Sequence, residues 1–175
     1  LKQKSVVIWM TGLSGSGKTT VAKGLEQRLH EDGRLTQILD GDNIRHGINK
    51  DLGFSETDRA ENIRRIAEVS KLFMDCGVIT INCFVSPTNA IRAKAKEIIG
   101  DDLLEVFIST PIEECERRDT KGLYERARKG EIKDMTGISS PFEAPVDPAI
   151  SIDTTNRNLE DCVNELYDFI TTKIK

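Results

Sequence analysis

Eight consecutive residues, Gly12-Leu13-Ser14-Gly15-Ser16-Gly17-Lys18-Thr19, fit the pattern G-x-x-x-x-G-K-[ST] at every specified position. Chemistry of one kind follows from such a run. Glycines tolerate the backbone angles that turn successive N–H groups inward around an anion, and without Cβ atoms they leave room for a phosphate to approach. Lys18 is predicted to reach the β- and γ-phosphates of a nucleoside triphosphate, and Thr19 to coordinate Mg²⁺. A helix starting here adds the favourable field of its N-terminus.

A second cluster is Asp40-Gly41-Asp42-Asn43-Ile44-Arg45. Two carboxylates and an arginine after a short strand lie where open α/β sheets build their sites. Asp40 can equally be a turn or cap residue. Further on, Arg59 and Asn62 extend the apolar stripe of a helix toward its start, a position that points into the cleft above the strand ends; the competing reading is polar residues at a fraying helix end. A third stretch, Glu113 to Lys133, holds Arg117, Arg118, Lys121, Arg126, Arg128, Lys129 and Lys133. Interleaved acids suit a solvated surface for most of these, while Gly122 and Gly130 can punctuate a mobile lid whose cations close over phosphates.

The elements that must position these groups read as alternating apolar runs and helical periods, favouring an α/β domain with a mainly parallel sheet. Val6 to Met10 reads as a buried strand before the glycine loop, and Thr20 to Leu29 as the helix after it. Gln37 to Leu39 is a second strand. Thr57 to Cys76 is a helix capped by Ser55 or Thr57, with Ile63, Ile66, Ala67, Ser70, Phe73 and Met74 on one stripe. Val78 to Val85 reads as a central strand ending at Ser86-Pro87, followed by a helix over 89–99 and a strand over 104–108. Pro111 can open the next helix. Met135 to Pro148, with three of the five prolines, reads as a loop in which Phe142 is exposed unless something stacks on it. Ile150 to Ile152 is a last short strand. Asn158 caps a final helix whose stripe is Leu159, Val163, Leu166, Tyr167 and Ile170.

With 175 residues, the chain suits one domain spanning 1–175. A net charge of -4, from 29 acidic and 25 basic residues, gives no general attraction to nucleic acid or to an anionic membrane. An anionic substrate must therefore be held by local cations. The four cysteines are widely spaced and only His30 and His46 could join them, which argues against a structural zinc site and for reduced thiols in the cytoplasm. No stretch reaches the roughly 20 apolar residues of a membrane span. Leu1 in place of Met is read as a sign that a preceding segment has been removed.

Taken together, G-L-S-G-S-G-K-T-T, D-G-D-N-I-R, L-G-F-S-x-x-D-R-x-E-N-I-R-R, K-G-L-Y and M-T-G-I with S-P-F-E-A-P closely resemble the adenylyl-sulfate kinase family along nearly the whole chain. The resemblance implies a three-layer P-loop fold with a five-stranded parallel sheet, helices on both faces and a lid at about 113–148. It also implies transfer of the γ-phosphoryl group of ATP, with Mg²⁺, to the 3′-hydroxyl of adenosine 5′-phosphosulfate, a step of sulfate assimilation. ATP would be held by Gly12, Leu13, Ser14, Gly15, Ser16, Gly17, Lys18, Thr19, Thr20 and Arg128. Asp42 would orient the acceptor hydroxyl and take its proton or hold a magnesium-bound water, with Asp40 in support. By the same resemblance Asn43, Arg45, Arg59, Asn62, Ser86 and Lys121 would contact the acceptor, and Phe54 and Phe142 would sandwich its adenine. A homodimer, in some relatives fused to ATP sulfurylase, is implied as well.

Four positions depart from the family pattern: Thr88 and Asn89 stand where an aromatic residue and an arginine are usual, Thr120 replaces a frequent proline, and Met135 a frequent phenylalanine. Two other functions remain open at this level. One is another small-molecule kinase acting on a nucleoside monophosphate or a sugar acid, which would share the loop and the lid but needs no aromatic sandwich in the sugar-acid case. The other is a nucleotide-binding switch without transfer, against which Asp42 argues, because a passive binder needs no acceptor carboxylate.

Overall fold

A computed structural model describes residues 3–175. Five strands, β1 (Val7–Thr11), β2 (Thr36–Asp40), β3 (Ile79–Cys83), β4 (Leu103–Ile108) and β5 (Ile150–Ile152), form one sheet in the order β2-β3-β1-β4-β5. Every pairing is parallel. β1 and β3 are buried throughout, as expected of strands covered on both faces. The expected strand over 78–85 is shorter, because Ser86 turns the chain with a φ of 45°.

Helices α1 (Lys18–Glu31) and α7 (Leu159–Lys173) cover one face, where Leu25, Leu29, Val163, Leu166 and Ile170 share a core with β1 and β3. Leu159 is 46 % exposed and drops out of the expected α7 stripe. Helices α3 (Glu56–Asp75) and α4 (Asn89–Ile99) cover the other face, with Ile63, Ile66, Ala67, Ala95 and Ile99 packed around Trp9. The expected caps are in place: Ser55 accepts from the Asp58 amide at 3.1 Å, and Asn158 from the Asp161 amide at 2.8 Å.

Three short helices lie outside this frame. α2 (Gly41–His46) follows β2 directly, whereas α5 (Ile112–Arg118) and α6 (Leu123–Arg128) follow β4 and are separated by a turn at Asp119 and Gly122, with φ of 30° and 65°. A third apolar cluster of Leu13, Cys115, Tyr124, Ala127 and Met135 ties α5 and α6 to the glycine loop. Met135 is thus buried at 8 % exposure and serves packing.

Candidate active site

The glycine loop leaves the end of the central strand β1 and enters α1. At Gly12 a Cβ would lie 2.5 Å from the Ile108 carbonyl oxygen, and the φ of +151° disfavours side chains, so only glycine fits against β4. Gly15 and Gly17 also have positive φ, of 76° and 105°, and Gly17 begins α1 without any side-chain cap. Carbonyl groups of the loop are held from outside. Tyr124 donates to Ser14 O at 2.7 Å, while Thr110 and Thr154 donate to Ser16 O at 3.0 and 2.8 Å.

Lys18 is buried and folds back on its own loop, donating to Gly12 O at 2.9 Å and Leu13 O at 2.7 Å. Burial lowers its pKa from 10.5 to about 8. Thr19 and Thr20 occupy the first turn of α1 next to it. Beside this turn is a cleft of about 200 Å³ lined by Gly17, Thr20, Arg118, Thr154 and Arg157 among others. Arg118 donates to the Thr154 hydroxyl at 2.8 Å and approaches Ser16 O at 3.3 Å. Arg128 instead grips Glu116 at 2.7 Å on the exposed side of α6. Arg118 thus contacts the phosphate loop, whereas Arg128, expected at ATP, is paired with Glu116.

At the end of β2, Asp40 and Asn43 close a reciprocal cap. The Asp40 carboxylate accepts from the Asn43 amide at 2.9 Å, and the Asn43 side chain accepts from the Asp40 amide at 3.1 Å. Both side chains are engaged in starting α2, the cap role that the sequence also allows for Asp40. Asp42, one residue into the helix, is exposed and pairs with Lys121 at 2.9 Å.

Arg45 leaves α2 toward the 52–54 segment, donating to Gly53 O at 3.0 Å, and its guanidinium carbon lies 4.3 Å from the centre of the Phe54 ring. Arg59 approaches the same ring at 5.9 Å, donates to Phe54 O at 2.9 Å and reaches the Thr136 hydroxyl at 2.9 Å. Two guanidinium groups thus flank one aromatic ring that is 61 % exposed. Burial, and then the charge of Arg59, push the Arg45 pKa down. Asn62 is buried, its side-chain Oδ1 accepting from the Asn49 side chain at 2.9 Å.

Two further residues expected at the acceptor are packed against other side chains. The Ser86 side chain is 2 % exposed; its hydroxyl accepts from the Trp9 indole at 2.9 Å and faces the core, not the cleft. Phe142 does not stand alone with Phe54. Its ring stacks on Phe107 of β4, with centroids 6.0 Å apart and 20° between planes, in the wall of a cleft of about 570 Å³ that also involves Leu13, Thr110 and Gly137. In energetic terms this partly buried ring is a packed wall rather than a loose flap.

The family model described as Adenylylsulphate kinase matches residues 4–153. The chain belongs to this family. An adenylyl-sulfate kinase of Bacteroides thetaiotaomicron is 64% identical over 100% of this chain and 88% of its own length, and one of Bacteroides fragilis is 63% identical over 99% and 87%. Among solved structures, the Mycobacterium tuberculosis APS kinase CysC in complex with AMPPNP and APS superposes with a TM-score of 0.92 at 46% identity, covering 96% of this chain and 98% of that one.

As a member of the adenylylsulphate kinase family, the chain is a kinase that transfers phosphate to a hydroxyl group. Its oxygen donors fit Mg²⁺. The Thr19 hydroxyl at the start of α1 and the exposed Asp42 carboxylate are hard ligands of the kind that supplement substrate phosphates. Among the described residues no group of three or more His, Cys, Asp or Glu could hold a metal without such phosphates. Sequence reasoning did not single out Phe107 or Thr154, which line the two clefts, nor the contact of Arg118 with the phosphate loop. The signal for Thr154 was its place just past β5, at the strand ends where such folds gather ligands; Phe107 carried none beyond membership of a strand.

Proposed function

We propose that this chain transfers the γ-phosphoryl group of ATP to the 3′-hydroxyl of adenosine 5′-phosphosulfate, releasing ADP and 3′-phosphoadenosine 5′-phosphosulfate. The observation that carries the acceptor is the Arg45–Phe54–Arg59 arrangement, an exposed aromatic ring with two guanidinium groups close to it. A planar base bearing phosphate and sulfate needs both features, and a sugar acid needs only the cations.

In this reading Gly12 to Thr20 bind the triphosphate, and Lys18 exchanges the carbonyls of Gly12 and Leu13 for phosphate oxygens. Arg118 and Thr154 border the nucleotide of the donor. Asp42 accepts the proton of the 3′-hydroxyl as its oxygen attacks the γ-phosphorus and the bond to the β-γ bridging oxygen breaks. Before that step Lys121 moves from Asp42 to the acceptor's anionic groups, so that substrate binding itself uncovers the base. Thr19, with Asp42 through a water, would hold Mg²⁺, which would supply charge neutralisation on the phosphates. Phosphoryl transfer depends chiefly on such positioning and on cations, because the transition state spreads charge over the equatorial oxygens. Within 113–148 the exposed turn between α5 and α6 that carries Lys121 acts as the moving part of the lid, while Met135 and Phe142 stay packed. A homodimer and a cytoplasmic setting belong to the same proposal, the latter supported by four free cysteines of which three are buried.

Purified protein with Mg·ATP is expected to form ADP rapidly with adenosine 5′-phosphosulfate and far more slowly with AMP or gluconate. Equal turnover on AMP would overturn the assignment.

A further inference from the structure

Arg92, near the start of α4, is 3 % exposed. A guanidinium so deeply buried is costly unless its donors are satisfied. Here the two terminal nitrogens are bonded to the turn after β3, to Asn89 and to the loop at Glu143, while the buried Nε has no hydrogen-bond partner among the described residues and faces Glu105 at 4.0 Å. One terminal nitrogen donates to Ser86 O, in the left-handed turn after β3. The other donates to the Asn89 side chain at 2.7 Å and to Glu143 O at 2.6 Å. No carboxylate is in hydrogen-bond contact, the nearest being Glu105 at 4.0 Å. The guanidinium carbon also lies 5.8 Å from the centre of the Phe142 ring.

Around this group the same two chain segments are sewn together again. The Glu143 amide donates to Pro87 O at 2.8 Å, and the Glu143 carboxylate accepts from the Asn89 amide at 2.7 Å. Neutral backbone carbonyls are poor compensation for a buried charge, so hydrophobic stability alone does not account for an arginine here; its forked donors do, because a single ammonium cannot span the three acceptors.

We propose that Arg92 is a positioning residue for the acceptor nucleotide: it locks the turn after β3 to the loop that carries Phe142, and so sets the ring against which the acceptor base packs. This rests on the reading of Phe142 as part of the acceptor site. Asn89 is the chain's own contribution to the clasp, offering Arg92 an acceptor oxygen where a second cation would repel it.

The test uses full-length protein with Arg92→Lys and Glu143→Ala. Glu143 is exposed, and its truncation removes only the carboxylate contact to Asn89. For Arg92→Lys, KM for adenosine 5′-phosphosulfate is expected to rise about tenfold while KM for ATP stays within about twofold, as for a small displacement of a positioning group. Glu143→Ala is expected to change the same KM in the same direction by about threefold. Trp9, the single tryptophan, donates to Ser86 and supplies a readout independent of turnover: its indole N–H resonance shifts in Arg92→Lys, and amide exchange at Glu143 and Ala144 accelerates. Parallel rises in both KM values, or an unchanged acceptor KM in both variants, would overturn the inference. Wild-type protein inactive on adenosine 5′-phosphosulfate would instead overturn the functional reading, and an unshifted Trp9 resonance with unchanged exchange would remove the clasp itself.

Discussion

The ammonium of Lys121 sits 2.9 Å from one oxygen of Asp42 and 3.2 Å from the other, joining α2 to the turn between α5 and α6 across 79 residues of sequence. Both side chains are more than half exposed, at 58% and 71%, so solvent screens the pair and an anionic substrate can compete for the lysine. Asp42→Asn keeps the shape of the site but loses the base. Its kcat is expected to fall about 10²- to 10⁴-fold, the usual contribution of a positioned general base, with the Kd for ATP within about twofold. Steady-state kinetics and calorimetric titration read the two quantities, and an unchanged kcat would remove Asp42 from the mechanism.

Lys18 ties nucleotide affinity to pH. Its folded pKa of about 8 lies below the ordinary 10.5, so between these values the unfolded chain holds more protons. Stability of the nucleotide-free protein therefore rises with pH across about 8 to 10.5 on account of this group. Triphosphate binding runs the other way, because it needs the ammonium form. At pH 9 binding is expected to take up close to one proton, and affinity to be about tenfold weaker than at pH 7. Titrations in two buffers of different ionisation enthalpy measure the uptake; none at pH 9 would contradict the assignment of Lys18.

How much of this was legible in the sequence varies with the range of the interaction. The glycine loop was legible because its constraint is local: Gly12 fits for reasons of its own φ and one neighbouring strand. The helices α3, α4 and α7 announced themselves through periodicity and caps. α2 did not, since six residues are too few for a period and Asp-Gly reads as a turn. Longer-range facts were silent. The stacking of Phe142 on Phe107 spans 35 residues, and the burial of the Ser86 hydroxyl depends on an indole 77 residues away. Which arginine of the basic stretch turns inward depends on partners 36 and 102 residues away, Thr154 and Ser16, and no local preference encodes that.

Gly12→Ala tests the backbone of the loop without touching a charged group. The new methyl would meet a main-chain oxygen at 2.5 Å at a φ of +151°, so either the loop or β4 must move. A loss of about 1–3 kcal/mol in chemical denaturation is expected, the range of a strained backbone position, together with loss of measurable ATP binding. Gly41→Ala is the control, because a Cβ there meets nothing within 4 Å and the site is helical. It is expected to leave stability the same or slightly higher. Equal stability of Gly12→Ala and wild type would show that the loop is not held by this contact.

Arg118 and Arg128 lie on neighbouring helices with the same charge and opposite surroundings. Arg118 is half-buried and spans the Glu114 carboxylate at 2.8 Å, the Thr154 hydroxyl and the carbonyls of the phosphate loop. Arg128 is 60% exposed in its side chain and bound to Glu116 alone. Removing Arg118 leaves Ser16 O and Thr154 without a shared cation, so Arg118→Ala is expected to raise the KM for ATP by about tenfold while the KM for adenosine 5′-phosphosulfate stays within about twofold. Arg128→Ala is expected to leave both within about twofold, since exposed ion pairs contribute little. A larger ATP effect from Arg128→Ala than from Arg118→Ala would mean that α6 reaches the nucleotide only after closure, and that the nucleotide-free arrangement of the two helices does not report the donor site.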